Sequence, residues 1–160
     1  MRKSEIFGRH PLAEFRPEGA PPRYQADDSA AVLTACLELC QGEGELVLEG
    51  RFRGGVLDSA TEYQRPVRRV TRATLLPWTS LRGYSVHEGS LAVLSELLMT
   101  PGVQDRVWHA HVLDHRGSLV QNYHAFDDPG ESVVIFGAAV PTHVIDELAS
   151  CGAMTPFGDS

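Results

Sequence analysis

The sequence has no apolar run long enough to cross a membrane and no secretory leader. A membrane-spanning helix needs about 20 consecutive apolar residues, and no stretch of the 160 residues reaches that length. Basic residues stand near the N-terminus, at Arg2 and Lys3, but no apolar segment follows them as it would in a signal peptide. We therefore expect a cytosolic protein that does not enter a membrane.

Cysteine is scarce, with 3 residues in the whole chain. An odd number of cysteines without a leader does not make a disulfide framework. Cys36 and Cys40 share one face of a predicted helix, whereas Cys151 lies near the other end of the chain. A metal site would need two further ligands from elsewhere, so we expect these thiols to be buried as small apolar side chains.

Familiar catalytic and phosphate-binding motifs are missing as well. The chain has no G-x-S-x-G or equivalent turn for a nucleophile, and its glycine-rich stretches lack the spacing of a phosphate loop or a dinucleotide fingerprint. A net charge of −7 would repel the phosphates of nucleic acid. We expect no cofactor and no nucleic acid, and a basic protein is the expected partner.

The apolar pattern that is present indicates one α+β domain over residues 26–160, preceded by an irregular, proline-rich arm over residues 1–25. Helices are predicted over 28–41, 85–98 and 141–148, the second beginning with a capping box at Ser85. Strands are predicted over 45–52, 67–76, 107–113, 118–126 and 132–139. Residues 54–66 and 153–160 are predicted to form no element. This order favours a mostly antiparallel sheet with about three helices packed against it.

Four histidines crowd the predicted hairpin between residues 107 and 126: His109, His111, His115 and His124. If Arg116-Gly117 is a two-residue turn, His109 faces His124 and His111 faces Asn122, because opposite residues share a face. His109, His111 and His124 could then hold zinc or iron. A one-residue change in the loop moves His124 to the other face, so we prefer a solvated or interfacial polar face without metal.

An arginine stripe at positions 65, 68, 69 and 72 is the second candidate binding feature. Such a stripe could grip an anion or nucleic acid. In a chain with an acidic balance, we interpret it as the charged face of a strand.

Several segments of the second half together resemble a known family. They are residues 76–81, the helix over 85–98, Gly102-Val103, the strand over 107–113, and Asp114 and Gly117 ahead of a strand with Asn122 and Tyr123. The strand at Ile135-Phe136, the helix over 141–148 and residues 151–157 add to the pattern. This arrangement is similar to immunity proteins of bacterial polymorphic-toxin systems, of the type abundant in myxobacteria. The paired Cys-x-x-Cys motifs of one related subgroup are missing, so its zinc is not carried over.

The resemblance implies a protein that binds and neutralises one cognate toxin without catalysis. An acidic surface would attract a basic toxin. We expect Asp127, Asp128 and Glu131, with His109 and Tyr123 exposed on the hairpin, to lie on or near that surface. Two alternatives remain open, a small metal-dependent enzyme that uses the hairpin histidines and a non-catalytic adaptor module.

Overall fold

One antiparallel sheet of eight strands runs through the described part of the chain. The computed structural model describes residues 23–74, 77–124 and 132–156. The strands are β1 (Tyr24–Ala26), β2 (Gly44–Gly50), β3 (Gln64–Arg65), β4 (Ser80–Val86), β5 (Val107–Asp114), β6 (Gly117–His124), β7 (Ser132–Phe136) and β8 (Met154–Pro156). Their order across the sheet is β3-β4-β2-β5-β6-β7-β1-β8, so β1 lies between two strands from the far end of the chain.

Five helical segments accompany the sheet in the described residues. They are α1 (Ser29–Leu39), a 3₁₀ helix (Asp58–Tyr63), α2 (Leu91–Met99), α3 (Pro101–Gln104) and α4 (Thr142–Ser150). The Asp28 side chain starts α1 by accepting a hydrogen bond from the Ala31 N–H at 3.1 Å. Within the described ranges, no helix has the length and apolar character needed to pass through a bilayer.

The helices pack on one face of the sheet, and an extended segment covers the other face. Successive residues of a strand point to opposite faces. Leu46 and Leu48 of β2 therefore join the core under the helices, while Val47 packs with Leu113 and Val70 on the reverse face. Val70 belongs to residues 67–74, which we call the strap. The sheet is thus buried on both sides near its centre.

Much of the predicted architecture is confirmed. The fold is α+β with an antiparallel sheet, α1 follows its predicted cap, and β5 and β6 form the predicted hairpin. The capping box predicted at Ser85 is wrong, because Ser85 lies in β4 and pairs with Glu45 of β2. The helix begins only at Leu91. Ser90 makes the turn between strand and helix, since its hydroxyl donates to the Ser85 carbonyl at 2.7 Å.

The predicted strand over 67–76 is also wrong for the residues that the structure describes. Residues 67–74 belong to no strand, because the N–H groups of Ala73 and Thr74 bind a side chain instead of a neighbouring strand. The predicted loop over 54–66 contains the 3₁₀ helix and β3, and the tail contributes β8. Residues 1–22 of the predicted arm lie outside the described residues, while residues 24–26 form β1.

Candidate functional site

The hairpin histidines His109 and His111 lie inside the protein, on the strap side of the sheet. Both side chains have no exposed surface. His109 pairs with Tyr123 and His111 pairs with Gln121. The predicted pairing of His109 with His124 and of His111 with Asn122 is therefore wrong.

A bulge in the hairpin causes this change of register. The two-residue turn is His115-Arg116, one residue earlier than predicted, because Asp114 pairs with Gly117. That shift alone would keep the histidine faces as predicted, since it moves each pairing by two positions. The ladder is irregular between Val112 and Leu113, where Leu119 is the extra residue on β6. This one-residue bulge brings Tyr123 opposite His109.

Asp114 anchors the turn to the end of α1. Its buried carboxylate accepts from the Arg116 N–H at 2.8 Å, from the Arg116 guanidinium at 2.7 Å and from the Gln41 N–H at 3.2 Å. Burial raises the pKa of Asp114, but the hydrogen bonds from Arg116 and Gln41 outweigh burial and lower it overall. The hairpin end is therefore rigidly tied to the helical layer.

Glu49 of β2 is the centre of a buried polar cluster beneath the strap. Its carboxylate accepts from the N–H of Ala73 at 2.8 Å, from the N–H and hydroxyl of Thr74 at 3.2 and 2.7 Å, and from the Thr79 hydroxyl at 3.2 Å. Burial raises the pKa of Glu49, yet the interactions with His109, Thr74 and Ala73 outweigh burial and lower it to about 2. Glu49 is thus an ionised carboxylate that anchors the strap.

His109 lies between Glu49 and Tyr123. Its Nδ1 is 3.7 Å from Glu49 Oε2, an ion-pair distance, and its ring stacks on the Tyr123 ring with centroids 4.6 Å apart. Burial, and then the negative charge of Glu49, raises the pKa of Tyr123. The Tyr123 hydroxyl donates to Gln121, and His111 Nε2 is 2.8 Å from the Ser118 hydroxyl. These groups connect three strands, β2, β5 and β6, and the strap.

This cluster contains the groups of an acid–base site but is closed to a substrate. Glu49, His109, His111 and Gln121 are fully buried. Among the described residues, no three His, Cys, Asp or Glu side chains are placed to hold a metal ion. The predicted His109, His111 and His124 set fails on its backbone register. The cluster instead holds the strap on the sheet.

The cysteines divide between interior and surface. Cys36 is fully buried, as predicted, whereas Cys40 is half-buried and Cys151 is exposed, which contradicts the expected burial of all three. Burial raises the pKa of Cys36, and it raises the pKa of Cys40 to about 12 with a further contribution from Asp114. Cys36 and Cys40 therefore favour the protonated thiol, and Cys36 acts as a small packing group in the core.

Two of the five predicted toxin-contact residues, His109 and Tyr123, belong to the described part of the chain. His109 and Tyr123 are buried, so the expectation that they are exposed on the hairpin is wrong. Asp127, Asp128 and Glu131 lie outside the described residues. A contact surface must therefore be sought elsewhere in the described part of the chain.

The predicted arginine stripe is largely committed to contacts within the protein. Arg69 donates to Glu45 at 3.3 Å, and Arg72 lies 4.0 Å from Glu49. Arg65 donates to backbone carbonyls of its own turn. The stripe mainly fastens the strap and the adjoining edge of the sheet.

The outer surface of the helices carries charge of one sign, which the sequence reasoning missed. No Lys or Arg occurs in any of the five helical segments described above. The exposed acids of the α-helices, which we call the acidic helical face, are Glu38, Glu96, Asp146 and Glu147. Met99 at the end of α2 is 58% exposed and adds an apolar group to the helical layer. This face could bind a basic surface with an apolar contact.

A cleft of 480 Å³ opens between the start of α1 and the α2–α3 connection. Its buried lining is partly apolar, with Leu33, Leu98 and Val103, and partly polar, with Asn122 and Ser132. Asp27 and Asp28 are exposed and give the mouth of the cleft, its open side, a negative charge.

Comparison of the chain with protein-family models, with curated proteins and with solved structures finds no match. A function must therefore be inferred from the chain's own surfaces and buried groups.

Proposed function

We propose that this protein is an immunity protein that binds a basic bacterial toxin on its acidic helical face and neutralises it without catalysis. The observation that supports this proposal is the charge of the helices, whose exposed Asp and Glu side chains are accompanied by no Lys or Arg in the helical segments that the structure describes. A basic partner would be attracted over a distance of about 8 Å at physiological salt. The resemblance of the second half of the sequence to immunity proteins suggests the same role.

The buried cluster favours a binding protein over the metal-dependent enzyme. The only candidate metal set in the hairpin depended on a register that the chain does not adopt, and His109 is occupied by Glu49 and Tyr123. Asp127, Asp128 and Glu131 remain proposed contact residues. In sequence their segment joins β6 to β7 and is followed by Ser132, which lines the cleft. An adaptor module would differ only in its partner.

The test expresses the products of the genes that flank this chain's gene. Each product that is basic is titrated with the purified protein in a calorimeter at two salt concentrations. We expect one-to-one binding that weakens with salt, and loss of toxin activity in the complex. Glu38→Gln with Glu96→Gln should weaken binding about fivefold to tenfold and reduce its salt dependence, because two contact charges are removed.

The matched control is Glu43→Gln with Glu88→Gln, which removes the same charge from two exposed loop positions. This control should bind the toxin as the unchanged protein does. Equal weakening by both variants would show a general charge effect and contradict the proposed face. A toxin that keeps its activity at saturating protein would contradict the immunity function itself.

A further inference from the structure

We propose that the cleft between α1 and the α2–α3 connection receives a lysine or arginine side chain of the basic protein partner. This inference rests on the proposed function and names the chemical group that its surface would recognise. It starts from the lining of the cleft, where Leu33, Leu98 and Val103 are buried and Asp27 and Asp28 are exposed at the mouth. Long basic side chains bury an apolar stem and keep a charged head in a polar setting. Their stem would contact the apolar lining residues of the cleft, and their charged head would contact the aspartates.

The two aspartates at the mouth carry negative charge that the described part of the chain does not neutralise. The Asp27 carboxylate accepts from the Thr155 hydroxyl at 2.8 Å, and Asp28 accepts from the Ala31 N–H at 3.1 Å. Among the described residues, neither has a basic side chain within ion-pair distance. Each carboxylate commits one oxygen to these bonds, which leaves the other oxygen for a cationic guest.

The start of α1 could instead favour an anion, because helix N-termini carry partial positive charge. Here the partial positive charge at the N-terminus of α1 is already neutralised by the Asp28 carboxylate, which caps the helix. Asp27 then leaves the mouth with an excess of negative charge. Charge complementarity therefore selects a cation.

Three polar side chains of the cleft lining are hydrogen-bonded to one another and form a triangle. Asn122 accepts from the Ser132 hydroxyl at 2.8 Å and donates to the Ser29 hydroxyl at 3.2 Å, and the two hydroxyls are 3.2 Å apart. Asn122 is buried to 1% exposure, so the triangle cannot move freely. A guest would meet oxygen atoms already in place, which reduces the ordering cost of binding.

The test follows backbone amide chemical shifts of the full chain during titration with N-acetyl-arginine methylamide. We expect saturable changes that centre on Asp27, Asn122 and Gln104, all of which line the cleft. The citrulline analogue has nearly the same shape without the charge. It should bind at least about fivefold more weakly, because the charged hydrogen bond is lost.

The variant Asp27→Asn with Asp28→Asn removes both charges and keeps the hydrogen-bond acceptors, and Asn caps a helix as well as Asp does. It should lose most of the arginine-compound binding with an otherwise unchanged amide spectrum. Glu38→Gln with Glu96→Gln is the matched control and should keep that binding. Equal binding of the citrulline analogue, or shifts spread over the acidic helical face in both variants, would overturn the cleft proposal.

The two proposals can fail separately. If toxin neutralisation persists while the arginine compound leaves the cleft unperturbed, the cleft proposal falls and the immunity function stands. If the compound binds in the cleft but the adjacent toxin is not neutralised, the immunity function falls.

Discussion

Glu49 determines how one whole face of the sheet is closed. Its carboxylate is the acceptor for backbone and hydroxyl donors of the strap, while His109 approaches from the sheet. A buried charge with this many donors is stabilising only as long as all of them remain in place. Much of the free energy that holds the strap on the sheet therefore depends on Glu49.

Replacing Glu49 by Gln should lower the free energy of unfolding by about 3 kcal/mol, because one acceptor oxygen becomes a donor that faces other donors. Urea denaturation at pH 7 measures the change. The control is Glu45→Gln, on the same strand, whose partner Arg69 is half exposed. This control should cost less than about 1 kcal/mol, and equal losses in the two variants would disprove the role of Glu49.

The pH dependence of stability follows from the same residue. The pKa of Glu49 falls from its ordinary value of 4.5 to about 2 on folding, so the unfolded chain takes up the proton first as the pH drops. Stability from Glu49 is complete above about pH 5 and is lost toward pH 2. The difference between the unchanged chain and Glu49→Gln should shrink over that interval, whereas Asp114, present in both, cancels. A constant difference would contradict the lowered pKa.

Residue roles could be predicted only where they depend on neighbours in sequence. The Asp28 cap and the burial of Cys36 follow from local pattern. Glu49 bonds to residues 24 to 30 positions away, and no local rule connects them. One clue was present, since Glu49 shares a strand face with buried Val47 and a charge there needs a partner.

At the scale of elements, the sequence correctly predicted the helix and the strands whose ends are defined by residues close in sequence. The hairpin and α1 were predictable because a turn or a cap defines their ends. The Ser85 box failed because pairing of β4 with β2 along its full length outweighs one cap. No feature of the sequence indicates the bulge at Leu119. This bulge alone changed which residues of β6 share a face of the sheet with His109 and His111.

The end of β2 depends on a glycine at a close approach. A Cβ atom at Gly50 would lie 2.0 Å from the Arg106 carbonyl oxygen. Gly50→Ala should therefore cost about 2 kcal/mol or more, because backbone must move. Gly102→Ala is the control, since its Cβ would meet Val56 at an ordinary 3.4 Å and alanine suits a helix. Thermal unfolding should show a loss for the first variant only.

At the scale of the whole molecule, the sheet is completed by strands from opposite ends of the described chain. β1 lies between β7 and β8, and Thr155 binds Asp27 across 128 residues. Sequence pattern does not specify such an order, because any of several antiparallel arrangements would satisfy the alternation of β1 and β8. The placement of β1 required the structure.

Substitution of two methionines, one in β8 and one on the surface, tests whether β8 packs on the sheet. Met154 in β8 is 1% exposed, whereas Met99 is 58% exposed. Met154→Ala should lower the free energy of unfolding by about 3 kcal/mol through lost burial and an internal cavity. Met99→Ala should change it by less than about 0.5 kcal/mol. Similar urea midpoints for the two variants would contradict the packing of β8.

The strap also determines how the buried polar cluster becomes exposed to solvent by local opening of the fold. It has no strand ladder of its own, so its separation from the sheet requires the loss of its bonds to Glu49, of the Arg69 contacts and of the Val70 packing, while the helical core stays intact. Such an opening would hydrate Glu49, His109 and Tyr123 together. Their proton exchange with solvent is therefore governed by the lifetime of the closed strap and not by the lifetime of the fold.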